Sequence, residues 1–178
     1  MRRLLISALA AVCLVPVQGS TLQRMSLNDI IGKSTLIVQA TVQPTYSALR
    51  GAVIYTHFQV QVSNTYKGSS VNNLDLAVPG GAVNGMQQSF AGAPTLTAGQ
   101  NYLLFLWTSK TGLTQVIGLS QGLFYVSTNT AGQLIVSRAA ASATMLNASG
   151  QTVTDSSLQM TLAEMVSRIQ TVLAGGGQ

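Results

Sequence analysis

The sequence contains few of the residue types on which most enzymes depend. It has one cysteine, Cys13, one histidine, His57, and four acidic residues in 178 positions. Because Cys13 lies in a leading segment that we expect to be removed, the mature chain would contain no thiol. This excludes thiol catalysis, disulfide bonds and zinc–thiolate sites. We therefore predict no catalytic residue, no metal site and no cofactor, and we do not expect an enzyme.

Charged residues are also scarce, at 7% of the chain, and the formal net charge of +5 includes Arg2 and Arg3 of the leading segment. The other cations are scattered singly, whereas a nucleic-acid interface needs them clustered on one face. We therefore predict no nucleic-acid partner. The apolar fraction of 47% excludes a disordered chain, so the polar surface must come from Ser, Thr, Asn and Gln.

Residues 1–19 have the pattern of a secretory signal peptide. Arg2 and Arg3 form its positive end, residues 4–15 are apolar, and Gly19 provides a small side chain before the predicted cleavage site. The apolar run is too short to span a membrane. We predict export to the periplasm or the extracellular space, with no stable membrane insertion after cleavage.

The longest strict alternation of apolar and polar residues lies between Val53 and Val62, which is typical of a half-buried β-strand. Residues 101–107 (NYLLFLW) are apolar on both faces, so we predict a deeply buried strand with Tyr102, Phe105 and Trp107 in the core. Other segments with strand patterns lie at residues 35–43, 74–78, 86–90, 114–119, 123–126 and 134–136.

Prolines and small polar residues predict where these strands end. Pro44 is predicted to end the strand at 35–43, because proline cannot donate to a β-ladder, and residues 45–52 are predicted to form a loop. Residues 139–157 are rich in Ala, Ser, Thr and Asn, which indicates a surface loop or linker. A mainly β domain would thus occupy residues 20–138.

Two helices are predicted to flank this domain. The first begins at Ser26, which can cap it, with Asp29 placed to complete a capping box. The second is predicted over residues 158–174, where apolar residues recur at three- and four-residue steps. We expect it to dock on the β domain and to be followed by a flexible tail, residues 175–178.

His57 and Asp75 are the polar residues of this domain with the most obvious chemical potential. His57 lies beside Gln59 and Gln61 on the polar face of a predicted strand, where a surface or cross-strand role is common. A serine triad would need partners that no G-x-S-x-G motif supplies. Asp75 is expected to be a solvated charge. A glycosidase-type pair among the four carboxylates remains an alternative, because the sequence does not give the distances between them in the fold.

The candidate binding site is the glycine-rich segment from Pro79 to Pro94. Long glycine-rich loops often carry binding functions, and the alternative is an ordinary flexible connection. The residues that we predict to contact a ligand are Pro79, Gly80, Gly81, Asn84, Gln87, Gln88 and Phe90.

The order of several short motifs resembles a widespread group of uncharacterised secreted bacterial proteins. These motifs are the capped helix, STLIVQATV at 34–42, IYT at 54–56, YKG at 66–68, VPGG at 78–81 and GQNYLLFL at 99–106. More distantly, the chain is similar to the netrin-type OB barrel of tissue inhibitors of metalloproteinases. The resemblance implies an OB-like antiparallel β-barrel with a short N-terminal helix and a docked C-terminal amphipathic helix.

The resemblance does not carry the inhibitor mechanism with it. Those inhibitors present a disulfide-locked N-terminal cysteine to the protease zinc, and the mature chain here contains no cysteine. The sequence therefore favours an exported, non-catalytic binding module whose ligand is a protein, such as a secreted protease or envelope protein, or an envelope polymer. One alternative is a modulator or inhibitor-like partner of a secreted metalloprotease. A second is a hydrolase that uses His57.

Overall fold

The computed structural model describes residues 21–141 and 143–175, which form a mainly β structure. The predicted signal peptide, residues 1–19, lies outside the described residues, as do positions 176–178 of the predicted tail. The helices are α1 (Leu27–Lys33) and α2 (Leu162–Gly175), and a 3₁₀ turn covers Leu119–Gly122. The strands in chain order are β1 (Leu22–Gln23), β2 (Leu36–Arg50), β3 (Val53–Lys67), β4 (Asn73–Pro79), β5 (Gly81–Val83), β6 (Met86–Gln88), β7 (Asn101–Thr108), β8 (Thr114–Val116), β9 (Leu123–Thr128), β10 (Leu134–Arg138), β11 (Met145–Leu146), β12 (Thr152–Val153) and β13 (Leu158–Thr161).

The main sheet contains eight strands, and every pairing within it is antiparallel. Its order is β13-β10-β9-β7-β2-β3-β4, and β8 pairs with the part of β7 that β9 leaves free. Across the described residues β4 and β13 form the two edges. The predicted mainly β fold is therefore confirmed, but backbone pairing in this part of the chain does not close the sheet into the predicted barrel.

β7 occupies the middle of the sheet because it is apolar on both faces. Its residues from Tyr102 to Leu106 have no exposed surface, and alternate ones pack into different clusters. The inner cluster comprises Val38, Ala40, Val42, Phe58, Val60, Leu76, Val78, Tyr102, Leu104, Leu106, Val116 and Leu123. The helix-side cluster comprises Leu27, Ile30, Ile31, Ile37, Leu103, Phe105, Ile117, Phe124, Val126, Val136, Leu162, Met165 and Ile169.

The prediction that Tyr102, Phe105 and Trp107 are core residues is confirmed for the first two only. Trp107 is 37% exposed, so its predicted core position is wrong. Its place in the alternation puts it on the same face as Phe105. It lies near the end of β7, however, outside the helix-side cluster.

β2 continues through Pro44, where the sequence pattern predicts its end. The pairing of β2 with β3 shifts in register between Pro44 and Tyr46, which marks a β-bulge or irregularity. Proline is tolerated at a bulge because the residue there does not have to donate to the ladder. The loop predicted for residues 45–52 is therefore wrong, since the strand runs to Arg50. As a result, Tyr46 lies opposite His57 across the β2–β3 pair.

Both helices begin at capping boxes. Ser26 and Asp29 form the box of α1, as predicted. At α2 the Thr161 hydroxyl accepts from the Glu164 N–H at 3.1 Å, and the Glu164 carboxylate accepts from the Thr161 N–H at 2.8 Å. The helix predicted over residues 158–174 therefore starts four residues late, at Leu162, because the capping box fixes its first turn. The four residues before it form β13, which pairs with β10.

The predicted loop at residues 139–157 carries regular structure of its own. It contains β11 and β12, which form a small sheet with β1. β1 and β11 pair in parallel, whereas β11 and β12 are antiparallel. The segment therefore ties the first described strand of the chain to the region before α2. Neither helix in the described ranges has the length and apolarity needed to cross a membrane.

Candidate functional site

Three of the four carboxylates are used to hold the fold together. Asp29 and Glu164 close the capping boxes of α1 and α2. The Ser26 hydroxyl and N–H lower the pKa of Asp29, and the Thr161 N–H and hydroxyl lower the pKa of Glu164. These shifts favour the ionised forms, which carry the negative charge that a helix N-terminus prefers.

The third carboxylate, Asp155, lies in a buried ion pair with Arg138 at the end of β10. The guanidinium donates to both carboxylate oxygens, at 2.9 and 3.2 Å, and the Ala141 N–H donates at 2.9 Å. Burial by itself raises the pKa of Asp155, but the hydrogen bonds from Ala141 and Arg138 and the charge of Arg138 outweigh it and lower the pKa below its ordinary value. Both side chains are less than a tenth exposed, so the pair is structural.

The fourth carboxylate, Asp75, is bound to the only histidine in the sequence. His57 Nδ1 lies 2.7 Å from Asp75 Oδ2, across the β3–β4 pair. The Asp75 side chain is 56% exposed, whereas that of His57 is 11% exposed. The predicted cross-strand position of His57 is confirmed, but the histidine is buried rather than superficial. Asp75 is exposed to solvent, as predicted, and its contact with His57 was not predicted.

Tyr46 covers the imidazole of His57. The two rings are stacked, with centroids 4.4 Å apart and planes inclined by 8°. The bulge at Pro44 brings Tyr46 to this position, and the Thr45 hydroxyl donates to the His57 carbonyl at 3.0 Å. Tyr46 itself is 57% exposed. The sequence pattern missed this contact because it placed Tyr46 in a loop.

A polar groove of about 440 Å³ lies beside this stack. We define the polar groove by its lining residues, which are Thr45, Tyr46, Gln59, Asn73, Leu74 and Asp75. Because an ionised carboxylate can only accept, an ionised Asp75 holds the proton of His57 on Nδ1. No serine hydroxyl is hydrogen-bonded to His57 in the described part of the chain. In the same residues no three His, Cys, Asp or Glu side chains come together as metal ligands would.

The predicted binding segment, residues 79–94, contains a β-hairpin in place of an irregular loop. β5 and β6 pair antiparallel, and the turn between them contains Asn84 and Gly85, both with positive φ. The side chain of Gln88 anchors the hairpin to β3 and the preceding turn. Its oxygen accepts from the Ile54 N–H at 2.7 Å, and its nitrogen donates to the Ala52 carbonyl at 2.9 Å.

Gly80 and Gly81 fix the start of the hairpin. Their φ angles are 110° and 134°, which side chains other than glycine rarely adopt. The Thr56 hydroxyl donates to the Gly80 carbonyl at 2.8 Å. A Cβ atom on Gly81 would collide with the same hydroxyl and would lie 2.9 Å from Ser47 Oγ. Glycine is therefore required at position 81 by space as well as by backbone angle.

An open pocket of about 350 Å³ lies between this hairpin and the inner face of the sheet. We call it the hairpin pocket, and its apolar lining consists of Phe58, Val78, Pro79, Phe90, Ala93, Pro94 and Leu96. Of the predicted ligand-contacting residues, Pro79, Gly80, Gly81, Gln88 and Phe90 line it, whereas Asn84 and Gln87 do not.

Sequence reasoning missed the contribution of the neighbouring strands to the hairpin pocket. Phe58 of β3 and Val78 of β4 were recognisable as inward-facing strand residues from their alternation. Their place in the pocket depends on the hairpin folding back over them, which no local pattern encodes. No protein-family model, curated protein or solved structure matches this chain.

Proposed function

We propose that the protein is an exported, non-catalytic binding module that holds a protein partner in the hairpin pocket. The observation that carries this proposal is a preformed, mainly apolar pocket built from the predicted binding segment. Pockets of this kind take an apolar group, and a few polar groups at the rim fix its orientation.

The hairpin is held in place before any partner binds. Gly80 N–H donates to the Ile54 carbonyl at 2.8 Å, and the two bonds of Gln88 tie the other strand of the hairpin to the same region. A binding surface that is already ordered loses less conformational entropy on association. The pocket is therefore suited to direct recognition of a partner.

The lining favours a protein ligand. Phe90 is 38% exposed at the rim, Pro79 is half-buried and presents a rigid apolar ring, and Pro94 is buried. An apolar side chain from an extended segment of a partner could pack against Phe90 and Pro79, while Ser89 and Thr95 offer hydroxyls. None of the pocket-lining residues is charged. Hydrophobic contact would therefore dominate the affinity.

We also propose that the domain is OB-like. Residues of β4 and β8, from opposite sides of the sheet order, share the inner cluster, so the sheet must curl strongly around it. Such curling without full closure fits the partly open barrel of the OB class. In that class, binding commonly uses one sheet face and the loops next to it. A role as a modulator of a secreted metalloprotease would be one instance of the proposed function.

The proposal can be tested by a pull-down. The mature chain, beginning at Ser20, is immobilised and incubated with envelope extract and culture fluid of the host, and the retained proteins are identified. Two variants make the result specific. Ala93→Leu fills the pocket, whereas Ala131→Leu makes the same change at an exposed turn. We expect one protein to be retained by the wild type and by Ala131→Leu and lost with Ala93→Leu. Retention by all three, or by none, would contradict the proposal.

A further inference from the structure

We propose that the polar groove is a second binding site and that its ligand is a neutral saccharide. The groove is separate from the hairpin pocket because the two sites use opposite faces of β3. Thr56 and Phe58 line the hairpin pocket, whereas His57 and Gln59 lie on the groove side. Consecutive strand residues point to opposite faces. The inference therefore does not depend on the proposed protein partner.

Tyr46 presents an exposed aromatic ring at the polar groove. Its inner face is stacked on His57, and His57 is held by the bond to Asp75. These contacts leave Tyr46 with a fixed orientation, although more than half of its surface is exposed. A fixed, exposed aromatic face is a surface on which the C–H face of a sugar ring can pack, and little side-chain entropy is lost in doing so.

Polar side chains lie around that ring in the lining of the groove. Gln59 and Asn73 are exposed, and no hydrogen bond involves either side chain within the described ranges. His57 occupies one oxygen of Asp75, so the other remains available to accept. Two amides and a carboxylate oxygen can pair with hydroxyls that both donate and accept. An aromatic face edged by such groups matches a sugar ring.

The charge of the lining restricts the class of ligand. Asp75 is the only charged residue in the lining, so an anionic ligand would be repelled. The single carboxylate of Asp75 would attract a cation, but the lining holds no second acidic residue, and the chain outside residues 1–19 has seven cationic and four acidic residues. The other polar groups of the lining are uncharged amides and hydroxyls, which pair best with a neutral, hydroxyl-rich ligand. The groove volume of about 440 Å³ falls in the range of small-ligand sites.

The experiment is a titration of the ¹⁵N-labelled mature chain with maltohexaose, cellohexaose and chitohexaose, each followed by NMR chemical shifts. We expect at least one to bind saturably and to shift the amide signals of Gln59 and Asn73. Tyr46→Ala should weaken that binding about tenfold or more, because it removes the stacking face. Tyr46→Phe keeps the face and should change the affinity by less than about threefold.

Two controls make the result decisive. Tyr125 is an exposed tyrosine on β9, so Tyr125→Ala should leave binding unchanged. Asp75→Asn keeps the shape of the side chain and should weaken binding by removing the charged acceptor. The proposal is overturned if no saccharide binds at millimolar concentration or if Tyr46→Ala binds as well as the wild type. It is also overturned if putrescine or citrate, as charged probes, shifts the groove signals and the saccharides do not.

Discussion

Two of the acid–base pairs in the described residues, Arg138–Asp155 and His57–Asp75, differ in the same way as the regions that contain them. The Arg138 guanidinium lies over the ring of Phe124, a residue of the helix-side cluster, and the side chains of Arg138 and Asp155 are both less than a tenth exposed. His57 and Asp75 lie on the outer side of β3 and β4, where Asp75 is 56% exposed beside an open groove. Both carboxylate oxygens of Asp155 accept hydrogen bonds from protein groups. Asp75 uses one oxygen to bind His57, and its other oxygen is available to a ligand.

This difference separates residues that stabilise the fold from residues that are available to a ligand. Around the helices, Asp29, Glu164 and Asp155 satisfy backbone donors or a buried cation. Around β3 and β4, the side chains of Gln59 and Asn73 make no hydrogen bond in the described residues, and more than half of the Tyr46 surface is exposed although its ring is stacked on His57. We therefore expect substitutions in the first region to change stability and substitutions in the second to change binding.

The largest effect is expected when the buried pair is broken. Asp155→Ala would leave the Arg138 cation buried without its partner, which should lower the free energy of unfolding by about 3–5 kcal/mol. Urea denaturation measures this change. The double variant Arg138→Met/Asp155→Leu should recover much of the loss, because it removes both charges together. A loss below about 1 kcal/mol for Asp155→Ala would contradict this expectation, because it would mean that the Arg138–Asp155 pair contributes no more to stability than a solvent-exposed pair.

Gly81→Ala tests a structural requirement inside the binding region. The added Cβ would collide with the Thr56 hydroxyl and would adopt a strained φ, so we expect a loss of about 1–3 kcal/mol. Gly85→Ala is the matched control in the same hairpin. It also has positive φ, at 77°, but its Cβ would meet no atom within 4 Å. It should therefore cost only about 1 kcal/mol. Equal losses for the two variants would show that space at position 81 does not matter.

Acid should destabilise the protein partly through Asp155. Its pKa is lowered in the folded state, so its contribution is fully present above the ordinary aspartate value of about 3.9. That contribution is lost as the pH falls through the lower, folded pKa. Denaturation of the wild type at a series of pH values should show stability falling below about pH 4. Asp155→Asn should show a shallower fall, and an identical slope would contradict this assignment.

The smallest effect on stability is expected for Asp75→Asn. The Asp75 side chain is 56% exposed, so its contact with His57 contributes little and the free energy of unfolding should change by less than about 1 kcal/mol. The same chemical denaturation used for Asp155 measures it. A loss as large as that of Asp155→Ala would make the His57–Asp75 pair a structural pair and remove the contrast between the two regions.

The strand content and the first helix follow from local patterns, and these parts of the prediction are confirmed. The alternation that includes Phe58 and Val60 places both in the core, and the Ser26–Asp29 spacing forms the expected capping box. The buried strand at residues 101–107 is predicted from its continuous apolar run. Each of these features depends on residues that are near each other in the sequence.

Features that depend on distant residues were not accessible from those patterns. The passage of β2 through Pro44 requires pairing with β3, and the stack of Tyr46 on His57 follows from that pairing. Likewise, the partner of Asp75 lies 18 residues away on another strand. The segment containing the candidate residues of the hairpin pocket was identified from its glycines. Its fold into a hairpin anchored by Gln88 was not.

The central claim is that a partner occupies the hairpin pocket, and site-specific photo-crosslinking tests it most directly. Benzoylphenylalanine would replace Phe90 at the pocket rim and, as a control, Tyr125 on β9. Both side chains are 38% exposed, so an accidental encounter would label both positions alike. We expect one crosslinked partner from position 90 and none from position 125. Equal crosslinking from both positions, or from position 125 alone, would contradict it.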